Sequence, residues 1–236
     1  GSAVISPEDA LGIVFKHVRP LSTMTIPLDN ALGSRLAENV RSDRDLPPAD
    51  RSAMDGYVVC SADLAAGPCN LRILGEIAAG SASRLKVQPG ACVRIFTGAN
   101  IPPGADTVVM VEQTQEHGGI VSILVPVEAG MNILRQAEDA RKGEVLLHKG
   151  TRLGAMQIGV CAAVGKTLLK VHCGPTIAIL CTGEELRDPS ARVRRHELRN
   201  TNGPTLCAAL TTWGFGKTRY TSVPDDLKVL SGKLHR

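Results

Sequence analysis

At 236 residues the chain has room for one large domain or two to three small ones. Its 43% apolar and 21% charged residues match an ordinary soluble globular protein. No apolar run reaches membrane-spanning length, and a net charge of +4 is too small to argue for nucleic acid, though it suits an anionic substrate. Aromatic residues are 3%, so any core must be built from Val, Ile, Leu and Ala. The seven cysteines form no CxxC pair, and several sit in apolar runs. Such usage fits buried thiols in a reducing compartment better than a disulfide framework or a zinc site. With no signal-peptide pattern at the start, a cytoplasmic location is expected.

Ser6-Pro7-Glu8-Asp9 predicts a helix start: a hydroxyl cap, proline in the first turn, and two acids at the positive end of the dipole. Leu11, Val14, Phe15 and Val18 then recur at helical spacing, and Pro20 ends the helix. Thr23 to Leu28 is extended, Asp29 caps a short turn, and Leu36 to Val40 is a further short apolar segment. This region is too small to bury a core alone and needs a partner from later in the chain.

Pro47 to Val59, PPADRSAMDGYVV, predicts a stiff loop with one acid, Asp55, at its tip. The prolines impose an extended entry, and Gly56 is expected to permit a turn. From Tyr57 to Val127, short apolar runs (Leu71–Ile77, Cys92–Phe96, Thr107–Val111, Ile120–Val127) alternate with Gly, Pro and Asn clusters, the pattern of a β sandwich or barrel. Gly75 to Gly80 reads as a small-residue loop that lets backbone approach a ligand. Thr97-Gly98 reads as a strand-end turn, and Pro102 to Asp106 as a rigid return. The acids Glu138 and Asp139 face Arg135 and Arg141 in sequence, a mix expected to form weak surface ion pairs.

Gly143–Leu147 predicts a strand, Lys149–Val164 a turn and an apolar helix stopped by Gly165, and Leu168–His172 another strand. Thr176 to Cys181 is a continuous apolar run, expected to be buried on both faces of a parallel sheet. A helix follows with Asn202 as cap and Leu206, Ala209, Leu210 and Trp213 as buried stripe, ended by Gly214. Lys217–Val223 is the next strand, and Pro224-Asp225-Asp226 opens another helix. Strand, helix, strand starts a three-layer α/β domain with ligands at the carboxyl ends of its strands, where Glu185 and Asp225 fall. The basic loop at 192–196 reads as a solvated connection. The fold class is therefore multidomain α+β and α/β. Residues 3–46 with 141–173 form a discontinuous N-terminal domain, 47–140 an inserted β-barrel-like module, and 174–236 an incomplete α/β domain.

Taken in order, SAMDGY around Asp55, GEIAAG at 75–80, RIFTGANIPPGADTVV around Thr97, GMNILRQAED ending at Asp139, TGEEL around Glu185, RNTN and VPDD at Asp225 resemble the MoeA family of molybdopterin molybdenumtransferases, which includes the gephyrin E domain. The resemblance implies a molybdopterin-binding third domain that is truncated here. It implies insertion of molybdenum from molybdate into adenylylated molybdopterin with release of AMP, Mg²⁺ as cofactor, and a homodimer with its site between subunits. Asp55, Thr97 and Asp139 are the implied catalytic residues. Thr182, Gly183, Glu185 and Asp225 are the implied substrate-binding residues, with Glu185 and Asp225 as metal ligands. Ala137 stands where the family usually has Gly, and Asn200 where it often has Asp. The family's Gly/Ser-rich substrate loop, with its following acid and lysines, is not in this sequence, so inactivity of this chain alone is expected. The alternatives are a dimerising scaffold derived from the same fold, or an unrelated phosphate-binding α/β protein.

Overall fold

A computed structural model describes residues 5–65 and 67–234; Ala3, the first residue assigned above to the N-terminal domain, lies outside them. In chain order the elements are α1 (Pro7–His17), β1 (Thr23–Pro27), β2 (Val40–Arg41), β3 (Arg51–Ser52), β4 (Gly56–Val59), β5 (Cys69–Ile77), β6 (Ala91–Ile95), β7 (Thr107–Met110), β8 (Thr114–His117) and β9 (Ile120–Ile123). Then follow β10 (Ile133–Leu134), β11 (Val145–Leu147), α2 (Ala155–Ala163), β12 (Leu168–His172), β13 (Ile177–Thr182), β14 (Leu186–Arg187), β15 (Leu198–Arg199), α3 (Asn202–Thr212), β16 (Thr218–Val223) and α4 (Leu227–Leu234). The chain forms two compact units: the N-terminal segment through Glu38 together with everything from His148, and Asn39–Leu147. The second reaches past 47–140 on both sides because β2 pairs with β11.

The second unit is organised by a six-stranded sheet in the order β7-β4-β6-β5-β9-β8. Side chains alternate across it with period two. Tyr57, Val59, Cys92 and Val109 enter one apolar cluster, while Val58, Val93, Ile95 and Val108 enter another. Every residue of β4 is consequently buried. Burial pushes the Cys92 thiol up to about 12, and all seven cysteines are free. Gly75 belongs to β5, with φ +154° at a register shift against β6, so the small-residue loop shrinks to Ala78–Gly80.

In the first unit, β1 and β12 pair antiparallel from Thr23↔His172 to Pro27↔Leu168. The N-terminal segment finds its partner through this ladder. Helix α1 is capped as expected, with the Ser6 hydroxyl accepting from the Asp9 N–H at 3.1 Å, yet none of its residues is buried. Phe15 is 74% exposed, so the apolar spacing of the helix serves no core among the described residues.

Strands β13 and β16 pair in parallel, with α3 packed on both. Only Cys181 of β13 is buried, against the expectation of two covered faces. Among the described residues the sheet has two strands, too few neighbours to cover the run. The α3 stripe is likewise open, with Leu206 and Trp213 exposed. The cap is also not Asn202, which is already helical. The buried Asn200 accepts from the Gly203 N–H at 3.0 Å and donates to Ser222 Oγ at 2.9 Å. Gly203 is needed there, since a Cβ would lie 2.4 Å from the Tyr220 ring.

Candidate active site

The loop 53–55 is pinned at both ends. Ser52, fully buried, donates through Oγ to the Met54 carbonyl at 2.5 Å, and its own carbonyl accepts from the Gly98 N–H at 2.8 Å. The Ala53 N–H bonds to Asn132 O and the Val111 N–H to Asp55 O. Gly56 follows for a different reason from the turn expected above. It is the first residue of β4, and a Cβ on it would stand 1.9 Å from the Val109 carbonyl oxygen.

These contacts bring Asp55 to Thr97. One carboxylate oxygen of Asp55 accepts the Thr97 N–H at 2.7 Å and its hydroxyl at 2.8 Å. The backbone N–H first, and the hydroxyl second, hold the exposed Asp55 carboxyl below the usual carboxylate range, because both donors favour the ionised form. Asp55 is therefore anionic and aimed by two donors at neutral pH. It lines a shallow depression of about 170 Å³ with Tyr57, Arg94, Phe96 and Val111.

Arg94 and Tyr57 are site residues that the sequence reading missed. The Tyr57 hydroxyl donates to the Glu116 carboxylate, with which Arg94 forms an ion pair, and Arg94 donates to the Tyr57 hydroxyl at 2.9 Å. The guanidinium also sits 5.5 Å from the Tyr57 ring centroid. A signal was available: Tyr57 is one of two tyrosines, and a polar handle beside a buried strand usually has a partner.

Asp139 lies at the other end of the β3–β10 ladder. Ile133 pairs with Ser52 and Leu134 with Arg51, and the Asp139 N–H bonds to Leu46 O at 2.9 Å. No hydrogen bond joins Asp139 to Asp55 or Thr97 among the described residues. Its loop is shaped by Asp50, which accepts the Gln136 N–H at 2.8 Å and an Arg135 guanidinium N–H at 2.8 Å. The Gln136 N–H above all lowers the Asp50 pKa. Arg135 thus pairs with Asp50 rather than with the neighbouring acids, and Glu138 accepts the Arg135 backbone N–H instead. Ala137 holds a left-handed backbone at φ 61°, the conformation that favours the glycine noted above as usual.

Thr182, Gly183, Glu185 and Asp225 belong to the other unit. Thr182 ends β13, Gly183 follows at φ +151°, and its N–H bonds to Val223 O at 3.3 Å across the two strands. A Cβ on Gly183 would meet a Glu185 carboxylate oxygen at 2.8 Å, so the glycine leaves room for that side chain. Glu185 and Asp225 each lie just past the carboxyl end of one of two adjacent parallel strands, both exposed. Neither carboxylate has a hydrogen bond or ion pair among the described residues. Asp226, next to Asp225, instead caps α4 by accepting the Val229 N–H at 2.9 Å.

Among the described residues no group of three or more His, Cys, Asp or Glu is placed to hold a metal. Two free carboxylates at one sheet edge nevertheless suit magnesium, which is commonly held by one or two carboxylates with water and substrate phosphate completing the shell. No helix among the described residues is long and apolar enough to cross a membrane.

Residues 5–165 match the family model described as the MoeA N-terminal region, domains I and II. The chain is 34% identical over 228 residues to the molybdopterin molybdenumtransferase of Staphylococcus epidermidis, covering 95% of this chain and 54% of that protein. It is 31% identical over 229 residues to the one from Synechocystis, covering 96% of this chain and 59% of the relative. Among solved structures, the molybdopterin biosynthesis moeA protein of Pyrococcus horikoshii superposes with a TM-score of 0.85 at 31% identity, over 97% of this chain and 62% of that one. The chain spans between half and two thirds of the length of these relatives.

Proposed function

The chain belongs to the MoeA family and so to molybdenum cofactor biosynthesis, and on that premise we propose that it carries part of a molybdenum-insertion site. The reaction is transfer of molybdenum from molybdate to adenylylated molybdopterin with release of AMP. Residues 174–236 of one protomer supply the molybdopterin-binding side, and 47–140 of its partner the face that closes over the reacting centre. The observation that carries the reading is the Asp55–Thr97 pair: an exposed acid, far from Thr97 in sequence, held ionised and oriented by two donors. Preorganised charge of this kind is what a site for a multiply charged reaction needs.

Glu185 and Asp225 would hold Mg²⁺, which when bound neutralises charge on the phosphoanhydride. Thr182 and Gly183 line the adjacent strand end for substrate. Asp55 offers a fixed anion, and Asp139 adds a second acid from the loop anchored by Asp50. The exposed apolar residues of α1, Leu11, Val14 and Phe15, with Val18 just after it, support a homodimer, since a stripe of that size on a protein surface marks an interaction surface. The same stripe favours a second reading, a dimerising scaffold without catalysis.

The test is AMP release from adenylylated molybdopterin with molybdate and Mg²⁺, in a chain extended to the length of the relatives. Asp55→Asn, Glu185→Gln and Asp225→Asn should each cut release by about a hundredfold or more, while this 236-residue chain alone releases none. An extended chain with no activity, yet dimeric by sedimentation, would establish the scaffold instead. Phe15→Asp should shift the dimer towards monomer.

A further inference from the structure

A second pocket lies in the first unit, away from every residue assigned above. Its volume is about 330 Å³, and Arg35, Arg152, His172, Trp213 and Phe215 are among the residues that line it, with no Asp or Glu. Arg35 and Arg152 face each other directly across an antiparallel bridge. Like charges in that relationship repel and destabilise the pairing unless something offsets them. Among the described residues neither guanidinium has an ion-pair partner. Arg35 donates to the Gly150 carbonyl at 3.2 Å and Arg152 to the Trp213 carbonyl at 3.4 Å. Those carbonyls orient the two cations without neutralising them.

We propose that this pocket is an anion site for a phosphate monoester carrying a planar ring, of about mononucleotide size. Two guanidinium groups lining one pocket without an acid suit the oxygens of a terminal phosphate, which arginine binds through charge-assisted hydrogen bonds. The ring is argued from Trp213 and Phe215, aromatic residues at and after the carboxyl end of α3 that line the same pocket as the two arginines. Gly214 has φ +92°, and a Cβ there would lie 3.2 Å from the Arg152 guanidinium, so the glycine leaves room for that cation where it reaches the Trp213 carbonyl. A pocket lined by an indole and by two arginines without ion-pair partners offers a stacking face and a phosphate clamp in one place. The inference does not rest on the molybdenum reaction, whose proposed residues lie elsewhere.

Trp213 is the chain's single tryptophan, so its emission reports this pocket alone. The full chain is titrated with AMP as probe of the class, and with inorganic phosphate and adenosine separately. AMP should change the emission saturably, phosphate should compete more weakly, and adenosine should have little effect. Arg35→Gln and Arg152→Gln should each weaken AMP by about tenfold or more, the loss expected for a charged hydrogen bond. Arg152→Lys, which keeps the charge, should fold normally and bind at intermediate strength. Asp225→Asn should leave the titration unchanged, which separates this pocket from the proposed substrate edge. No saturable response in the parent chain, or one that Arg35→Gln and Arg152→Gln leave unmoved, overturns the proposal. Phosphate binding as tightly as AMP overturns the role given to the ring.

Discussion

Thr97 donates both its backbone N–H and its hydroxyl to a single oxygen of Asp55, at 2.7 and 2.8 Å. Its hydroxyl share is removable. Thr97→Val keeps the shape and the backbone donor but loses the O–H, so the Asp55 pKa should rise part of the way back to the ordinary carboxylate value. Because the folded pKa is depressed, the stability Asp55 contributes is present above its unfolded pKa and lost as pH falls through the folded pKa. In Thr97→Val that acid-side loss should be smaller and complete at higher pH, because the gap between the unfolded and folded pKa narrows. A carboxyl NMR titration of both proteins checks this, and identical Asp55 titration curves would contradict it.

Gly56→Ala should destabilise the β unit by about 3 kcal/mol, because the new methyl overlaps the Val109 carbonyl inside a fully buried strand. Gly159 in α2 has nothing within 4 Å of a Cβ, so Gly159→Ala should stabilise by up to about 1 kcal/mol. Urea unfolding of the two variants should give opposite signs.

Ala137→Gly should raise stability by about 1 kcal/mol, since an L side chain at φ 61° carries a penalty of that order that glycine escapes. The check is the urea midpoint. A fall in midpoint would show that glycine's entropy cost outweighs the relief.

Asn200→Ala should cost about 2 kcal/mol, from the lost cap on Gly203 and the lost bond to the Ser222 hydroxyl, both made by a side chain that is itself buried. Asn200→Asp should cost much less. Its carboxylate still accepts from Gly203 at a helix start, and the Ser222 hydroxyl can turn to donate. Thermal melts of the two variants should separate clearly, and equal losses would remove the cap from the explanation.

Much of this was legible in one dimension. The strand runs of the β unit, the Ser6 cap, Gly165 and Gly214 as helix stops, and the parallel pairing of β13 with β16 follow from local periodicity and backbone chemistry, which act over a few residues. The ordered motifs around Asp55, Thr97, Glu185 and Asp225 were enough to point to the family. Burial was misread where it depended on neighbours: β13 and the α3 stripe have the apolar pattern of covered elements but are largely open.

What only the tertiary structure decided was pairing at long range. The meeting of Asp55 with Thr97, of Tyr57 and Arg94 with Glu116, of Asn200 with Ser222, and of Arg35 with Arg152 each depends on which strands lie side by side and in which register. Sequence sets what a residue can donate, accept or tolerate. Register sets which residue it meets, since within a strand a shift by one turns a side chain to the other face.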